Sequence, residues 1–155
     1  MENNKNIRVR EVVLSSGADA LIPFVCVYML YIITHGHLSP GGGFQGGVLG
    51  VAAILLIYFG HGYRTTVKAI SFNLLHETEG IASVIYVCLA LMGVAVGAQF
   101  CENILYTHGA VGDLYSAGTI FWMNLTVGLK VATGVGSITL MMLALVPART
   151  GGEAK

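Results

Sequence analysis

Two ionisable residues stand inside long apolar stretches of this 155-residue chain. Lys130 lies within a run from about Gly118 to Val146, and Asp19 within another from about Val12 to Thr34. At the ~1.5 Å rise of an α-helix, Lys130 is about 18 Å from the nearer end of its run, too far for its stem to reach water comfortably. An ionisable group at bilayer depth costs about 3 kcal/mol or more, so it turns toward protein or a water-filled cavity and marks a candidate ion path. The plainer reading of Lys130 is a structural pairing with a carboxylate or with backbone carbonyls. Asp19 lies about 10 Å into its run. Pro23, four residues on, removes the hydrogen bond that the Asp19 carbonyl would otherwise accept. A carboxylate beside a freed carbonyl suits a cation, whereas water access or interfacial pairing is the plainer alternative. In straight helices of alternating direction the two charges differ in depth by about 14 Å. Direct pairing is therefore not expected, and each charge needs a partner elsewhere.

The most distinctive segment is His35-Gly36-His37-Leu38-Ser39-Pro40-Gly41-Gly42-Gly43-Phe44-Gln45-Gly46-Gly47. Gly41, Gly43 and Gly46 satisfy GxGxxG, but a dinucleotide site needs a preceding strand and an acidic residue about 20 positions on. Here apolar, span-length stretches flank the motif and the next acid is Glu77; a phosphate loop fails for want of its lysine. Pro40 suits the first turn of a helix. The glycines after it permit close backbone approach or an unwound segment, tolerated only where protein or a water-filled cavity surrounds it. Two readings stay open: a tight re-entry turn packed under a neighbouring helix, and a polar vestibule at the external mouth of an ion path.

Other chemistries are poorly served. His61, His76 and His108 fall at helix ends or in loops, not facing one another inside the membrane as haem ligation requires. His76 and Glu77 do not make an HExxH, because Gly80 stands four residues after His76. Cys26, Cys88 and Cys101 have no metal-type spacing, and a thiol in an apolar run behaves as a small hydrophobe. No cofactor, metal or catalytic residue is expected.

The elements that must position these groups are spanning helices. Hydrophobic residues make up 55% of the chain and charged residues 10%, against roughly 25% charged in soluble domains. A formal net charge of zero removes the case for a nucleic-acid partner. Four apolar stretches approach the ~20 residues of a spanning helix: about 12–34, 42–60, 80–100 and 118–146, within a single membrane domain of residues 1–155. The second is long enough only if part of the glycine run joins it. The first is too long for a signal peptide and lacks a cleavage site after it. Of the eight Lys and Arg residues, all but Lys130 fall in the N-terminus (Lys5, Arg8, Arg10), the loop after the second span (Arg64, Lys68) or the tail (Arg149, Lys155). The positive-inside rule then places both termini in the cytoplasm. The fold class is all-α integral membrane, four transmembrane helices, N-in/C-in. Small-residue rows, Gly46 and Gly50, Gly93 and Gly97, and Gly128, Ala132 and Gly136, would let helices pack closely within the chain or against other subunits. Asn124 and Thr126 have the chemistry to bond across helices.

The segment HGHLSPGGGFQGG and the last span, Ser116-Ala117-Gly118-Thr119-Ile120 through Asn124 to Gly128-Leu129-Lys130-Val131, resemble the MnhB/MrpB-type subunit of the multisubunit sodium/proton antiporters. The same domain occurs in the antiporter-like part of membrane-bound hydrogenases and related complexes. The likeness covers nearly the whole chain, the third span more loosely. It implies a small, non-catalytic four-helix subunit, inactive alone, that joins other membrane subunits in the cell membrane and helps form a Na⁺ or H⁺ translocation path. It places a signature on Gly36, His37, Pro40, Gly41, Gly42, Gly43, Phe44 and Gly47, as an external turn and assembly site, and on Lys130 in the last helix. The alternative it leaves is a purely structural subunit in the antiporter-like arm of a hydrogenase or another redox-driven ion pump.

Overall fold

Each apolar run is carried by a helix. The computed structural model describes residues 2–106, 113 and 116–145, with side chains from Glu11 onward. His108, Arg149 and Lys155 lie outside the described residues. Helix α1 is Glu2–His35, α2 Gly43–His61, α3 Tyr63–Ala69, α4 Phe72–Ala95 and α5 Thr119–Leu145. Among the described residues, four stretches are long and apolar enough to cross a membrane: Glu11–Thr34, Gly43–His61, Phe72–Ala95 and Thr119–Leu145. The described residues form no strand. Helix α1 has 34 residues, about 51 Å at the helical rise. That exceeds a hydrocarbon core of ~30 Å, so its polar first turns extend beyond the apolar segment.

The helix behind the third apolar run begins well before Gly80. Ser71 adopts an extended conformation and its Oγ accepts the Leu74 N–H at 3.3 Å. This N-cap satisfies a donor that the first turn leaves free. The other end is equally well defined. Gly97, at φ 84°, follows Val96 and closes a Schellman motif: Gly97 N–H bonds the Val94 carbonyl at 3.0 Å and Ala98 N–H bonds that of Gly93 at 2.9 Å. Gly93 and Gly97 therefore form no packing row. A Cβ on Gly93 would meet the Gln99 carbonyl of its own turn, and Gly97 stands in open space. At the start of α5, Asn103 Oδ1 accepts from the Thr119 N–H at 2.9 Å and from its hydroxyl at 2.8 Å, while Asn103 Nδ2 donates to the Ala117 carbonyl at 2.9 Å.

The helices form a row in the order α1, α2, α5, α4, with α1 and α4 at opposite edges. Neighbours α1 and α2 run antiparallel, with Ile33 and Met29 beside Gly46 and Ala18 beside Gly60. Helices α2 and α5 run parallel: Gly43 lies against Gly128, Gly47 against Val131, Gly50 against Ala132 and Ile54 against Gly136. The rows on α2 and α5 thus pack within the chain. Where lipid gives no hydrophobic drive for association, such close backbone approach supplies the attraction. The core is correspondingly thin: Ile54, Leu75 and Leu140 cluster where α2, α4 and α5 converge, with Ile70 packed against them. Both edge helices leave large apolar side chains uncovered, among them Phe24, Val27, Val84 and Leu91, a surface suited to lipid or to neighbouring subunits.

Candidate functional site: the glycine turn and the α4–α5 groove

The glycine turn is built around one side chain of α5. Asn124 Oδ1 accepts the Gly43 N–H at 2.6 Å, and Asn124 Nδ2 donates to the Ile33 carbonyl at 2.7 Å. One amide thereby satisfies a free carbonyl at the end of α1 and a free N–H at the start of α2, groups that a helix end otherwise leaves unbonded. Gln45 Oε1 takes the Gly42 N–H at 2.8 Å. This is half of a capping box, because Gly42 has no side chain to return the bond.

Close approach explains the glycines. A Cβ on Gly43 would fall on the Asn124 carbonyl oxygen and stand 2.8 Å from the Gly128 nitrogen. One on Gly47 would stand 2.6 Å from Val131 Cβ and 2.7 Å from the Gly128 carbonyl oxygen. Of the two readings of this segment, the geometry is that of a re-entry turn packed under α5. Gly43, Gly46 and Gly47 are buried within α2, whereas Gly41 and Gly42 precede the helix. Pro40 precedes it too, two residues before the cap Gly42, and so does not occupy its first turn. Pro40 is exposed and Phe44 projects outward, 61% exposed. His37 packs edge-on against Phe121, with ring centroids 5.8 Å apart, and its Nε2 lies 3.4 Å from the Asp113 carbonyl oxygen. Replacing Asn124 with Ala removes both bonds of the clasp. At about 0.6 kcal/mol per interhelical bond in a membrane, the expected loss is about 1–2 kcal/mol, read as a lower unfolding midpoint in detergent.

Asn124 bonds across helices, but Thr126 does not. Its hydroxyl turns back to the Met123 carbonyl at 2.8 Å and the Trp122 carbonyl at 3.2 Å. Thr133 does the same, donating to the Leu129 carbonyl at 2.8 Å.

Lys130 faces the groove between α5 and α4. Its Nζ donates to Ser83 Oγ at 2.5 Å and stands 4.0 Å from Glu79 Oε1. The Lys130 side chain is 49% exposed and that of Glu79 31%. Gly134 makes room for the acid, since a Cβ there would lie 3.2 Å from Glu79 Oε1. Two cavities flank the lysine along the groove. One, of about 320 Å³, is lined by Glu79, Lys130, Gly134 and Ser137; the other, of about 270 Å³, by Ser83, Tyr86, Thr126 and Lys130. Hydropathy reveals neither Glu79 nor Ser83 as a partner, and it starts the third span at Gly80. The signal that reveals Glu79 is the Ser71 cap, which starts α4 early enough to carry residue 79 about 10 Å into the helix.

Asp19 is not brought to Lys130. Its Oδ1 lies 3.3 Å from His61 Nε2, at the far end of α2, and Ser15 Oγ lies 3.4 Å from the same nitrogen. Among the described residues, no group of three or more His, Cys, Asp or Glu is placed to hold a metal ion. All three cysteines are free and exposed.

Comparison with known proteins sets this geometry in a family. A profile described as "Domain related to MnhB subunit of Na+/H+ antiporter" matches residues 13–137. An uncharacterised protein of Methanocaldococcus jannaschii is 31% identical over 125 residues, 76% of this chain and 47% of that protein. A Na⁺/H⁺ antiporter subunit of Alkalihalophilus pseudofirmus is 35% identical over 69 residues, 44% of this chain and 48% of its own length. A putative antiporter subunit mnhB2 of Staphylococcus haemolyticus is 26% identical over 150 residues, 96% of this chain and 100% of that protein. Among solved structures, a chain of the membrane-bound sulfane sulfur reductase, an archaeal respiratory membrane complex, superposes with a TM-score of 0.70 at 36% identity, covering 84% of this chain and 57% of that one. The chain thus spans about half the length of the first two relatives. The glycine turn under α5 falls within the matched region, as do most of the four apolar helices, and the chain belongs to the family of domains related to the MnhB subunit of Na⁺/H⁺ antiporters.

Proposed function

We propose that the chain is a membrane subunit of a multisubunit cation/proton antiporter module, in which it helps form the Na⁺ or H⁺ path and part of the assembly interface. The observation that carries this reading is Lys130, a half-exposed ammonium on the open face of a four-helix row, deep in a segment apolar enough to span the membrane. Against hydrocarbon such a group would cost about 3 kcal/mol or more. Its uncovered side is therefore the side that meets another subunit or the water of an ion path. The packed glycine turn, with Phe44 and Pro40 projecting from it, supplies a rigid external edge for a neighbour, and His37 braces that edge against Phe121.

Both termini lie on the cytoplasmic side in this reading. Asp19 and His61 then stand toward the cytoplasmic mouth and Asn124 toward the external one. Because Asp19 is 59% exposed, Asp19→Asn is expected to lower the rate of cation exchange several-fold at most, less than loss of Lys130, with the complex still assembled. An antibody should reach a tag at the C-terminus only after the cells are permeabilised.

A second reading rests on the likeness to a chain of a respiratory membrane complex: the module is driven by a redox enzyme and this subunit serves as its scaffold. Affinity purification of the tagged chain in mild detergent tests both. Several hydrophobic antiporter-type subunits should co-purify, with redox subunits present only in the second case. Recovery of the chain alone from native membranes would contradict both.

A further inference from the structure

The ends of α1 and α2 remote from the glycine turn meet through one imidazole. His61, the last residue of α2, places its Nε2 3.3 Å from Asp19 Oδ1 and 3.4 Å from Ser15 Oγ, both on α1 and one turn apart. One nitrogen cannot serve both in the same way. Carrying a proton, Nε2 donates, and the carboxylate is the acceptor that suits it. Bare, it accepts, and the Ser15 hydroxyl suits it while the carboxylate faces a lone pair. The imidazolium makes a charge-assisted bond to Asp19, whereas the neutral ring makes a weaker one or none. The other titratable groups at this end are Glu11, one turn from Ser15 on the same face of α1, Tyr58 on α2 itself, and Tyr63, Arg64 and Lys68 on α3, which follows His61 after Gly62. Helix α5 carries no ionisable group beyond Lys130.

The segment of α1 that carries Asp19 is built to respond. Pro23 stands inside α1 and takes away the hydrogen bond that the Asp19 carbonyl would accept, so the helix has a weak point one turn beyond the contact. Helix α1 is also an edge of the row, packed chiefly on α2. Beside His61 that packing sets one small residue on another, Ala18 against Gly60. We propose that His61 is a proton-operated latch between α1 and α2. With a proton on Nε2 it holds Asp19 and closes this end of the helix pair; on losing its charge it releases the part of α1 before Pro23 to swing from α2. The event is a proton exchange with water, and no other covalent bond forms or breaks. Its sign follows: the latch is closed at low pH and released as pH rises through the range in which imidazole changes charge, about pH 5–8. The proton on His61 thereby sets whether the Asp19 carboxylate is engaged or open to water. This goes beyond the ion-path reading and does not depend on it.

The test uses the assembled complex in lipid nanodiscs. The three exposed cysteines are replaced (Cys26→Ala, Cys88→Ala, Cys101→Ala), and nitroxide labels are carried by Val13→Cys on α1 and Phe59→Cys on α2, positions 65% and 63% exposed. Double electron resonance reads the distance between the labels at about pH 5 and pH 8. The short distance present at low pH should be joined at high pH by a longer one. The ratio of the two should change about two- to fivefold, which is what an ion pair this exposed is worth. His61→Gln, which never charges, should show the longer distance at both pH values, and His61→Lys, which stays charged, the short one at both. Asp19→Asn should abolish the pH dependence. Identical distributions at both pH values with His61 and Asp19 intact would overturn the latch. So would a pH-dependent change that survives His61→Gln, or a His61→Lys complex that still opens as pH rises.

Discussion

Replacing Lys130 with Ala is expected to lower cation-coupled transport by at least about tenfold while the complex still assembles. The side chain contributes little to packing: it is 49% exposed and lies in a groove. Its loss leaves Glu79 without the positive charge at 4.0 Å, in a groove where Lys130 lines both cavities. A factor of ten in rate corresponds to ~1.4 kcal/mol, within what a charge 4.0 Å from its carboxylate partner supplies at an effective dielectric constant near 20 after a discount for its partial exposure. Transport assayed beside subunit recovery separates this effect from misassembly. If Lys130 were only a structural partner, transport and subunit recovery would fall together.

The opposite pattern is expected for Gly43→Ala. One methyl group placed there falls on the Asn124 carbonyl oxygen and stands 2.8 Å from the Gly128 nitrogen, both backbone atoms of α5. Backbone cannot swing aside as a side chain can, so α2 and α5 must separate, and the Asn124 bond to the Gly43 N–H goes with them. Overpacking costs about 1–3 kcal/mol even where side chains adjust, and the clasp adds its own loss. Little folded subunit should be recovered from membranes, and transport should fall in proportion to recovery. Gly80→Ala is the control, because a Cβ at Gly80 meets nothing within 4 Å.

How much of this can be read from the chain differs from feature to feature. The four spans are legible because apolar composition over ~20 residues has no other stable use. The depth of Lys130 follows from the same count. Helix boundaries are less legible: the apolar run starts at Gly80, but hydrogen bonding starts the helix at Phe72, where the Ser71 cap allows it. That gap of eight residues hides Glu79, the partner Lys130 calls for. Gly93 and Gly97 have the spacing of a packing row, yet the helix ends at Ala95 and Gly97 serves the turn through its positive φ. Spacing alone does not say whether a helix persists. Asn124 stands out as a polar residue in a span, but its partners lie 81 and 91 positions away, and no local pattern encodes that distance. The order α1, α2, α5, α4 is hidden for the same reason. Hydropathy reports which segments enter the membrane and not which of them become neighbours.

Cation exchange by the purified multisubunit complex, measured in proteoliposomes beside this chain reconstituted alone, is the most direct test of the whole reading. The complex should move protons against an imposed Na⁺ gradient, and the chain alone should move nothing. Exchange by the isolated chain, or a fully assembled complex that moves neither cation, would contradict it.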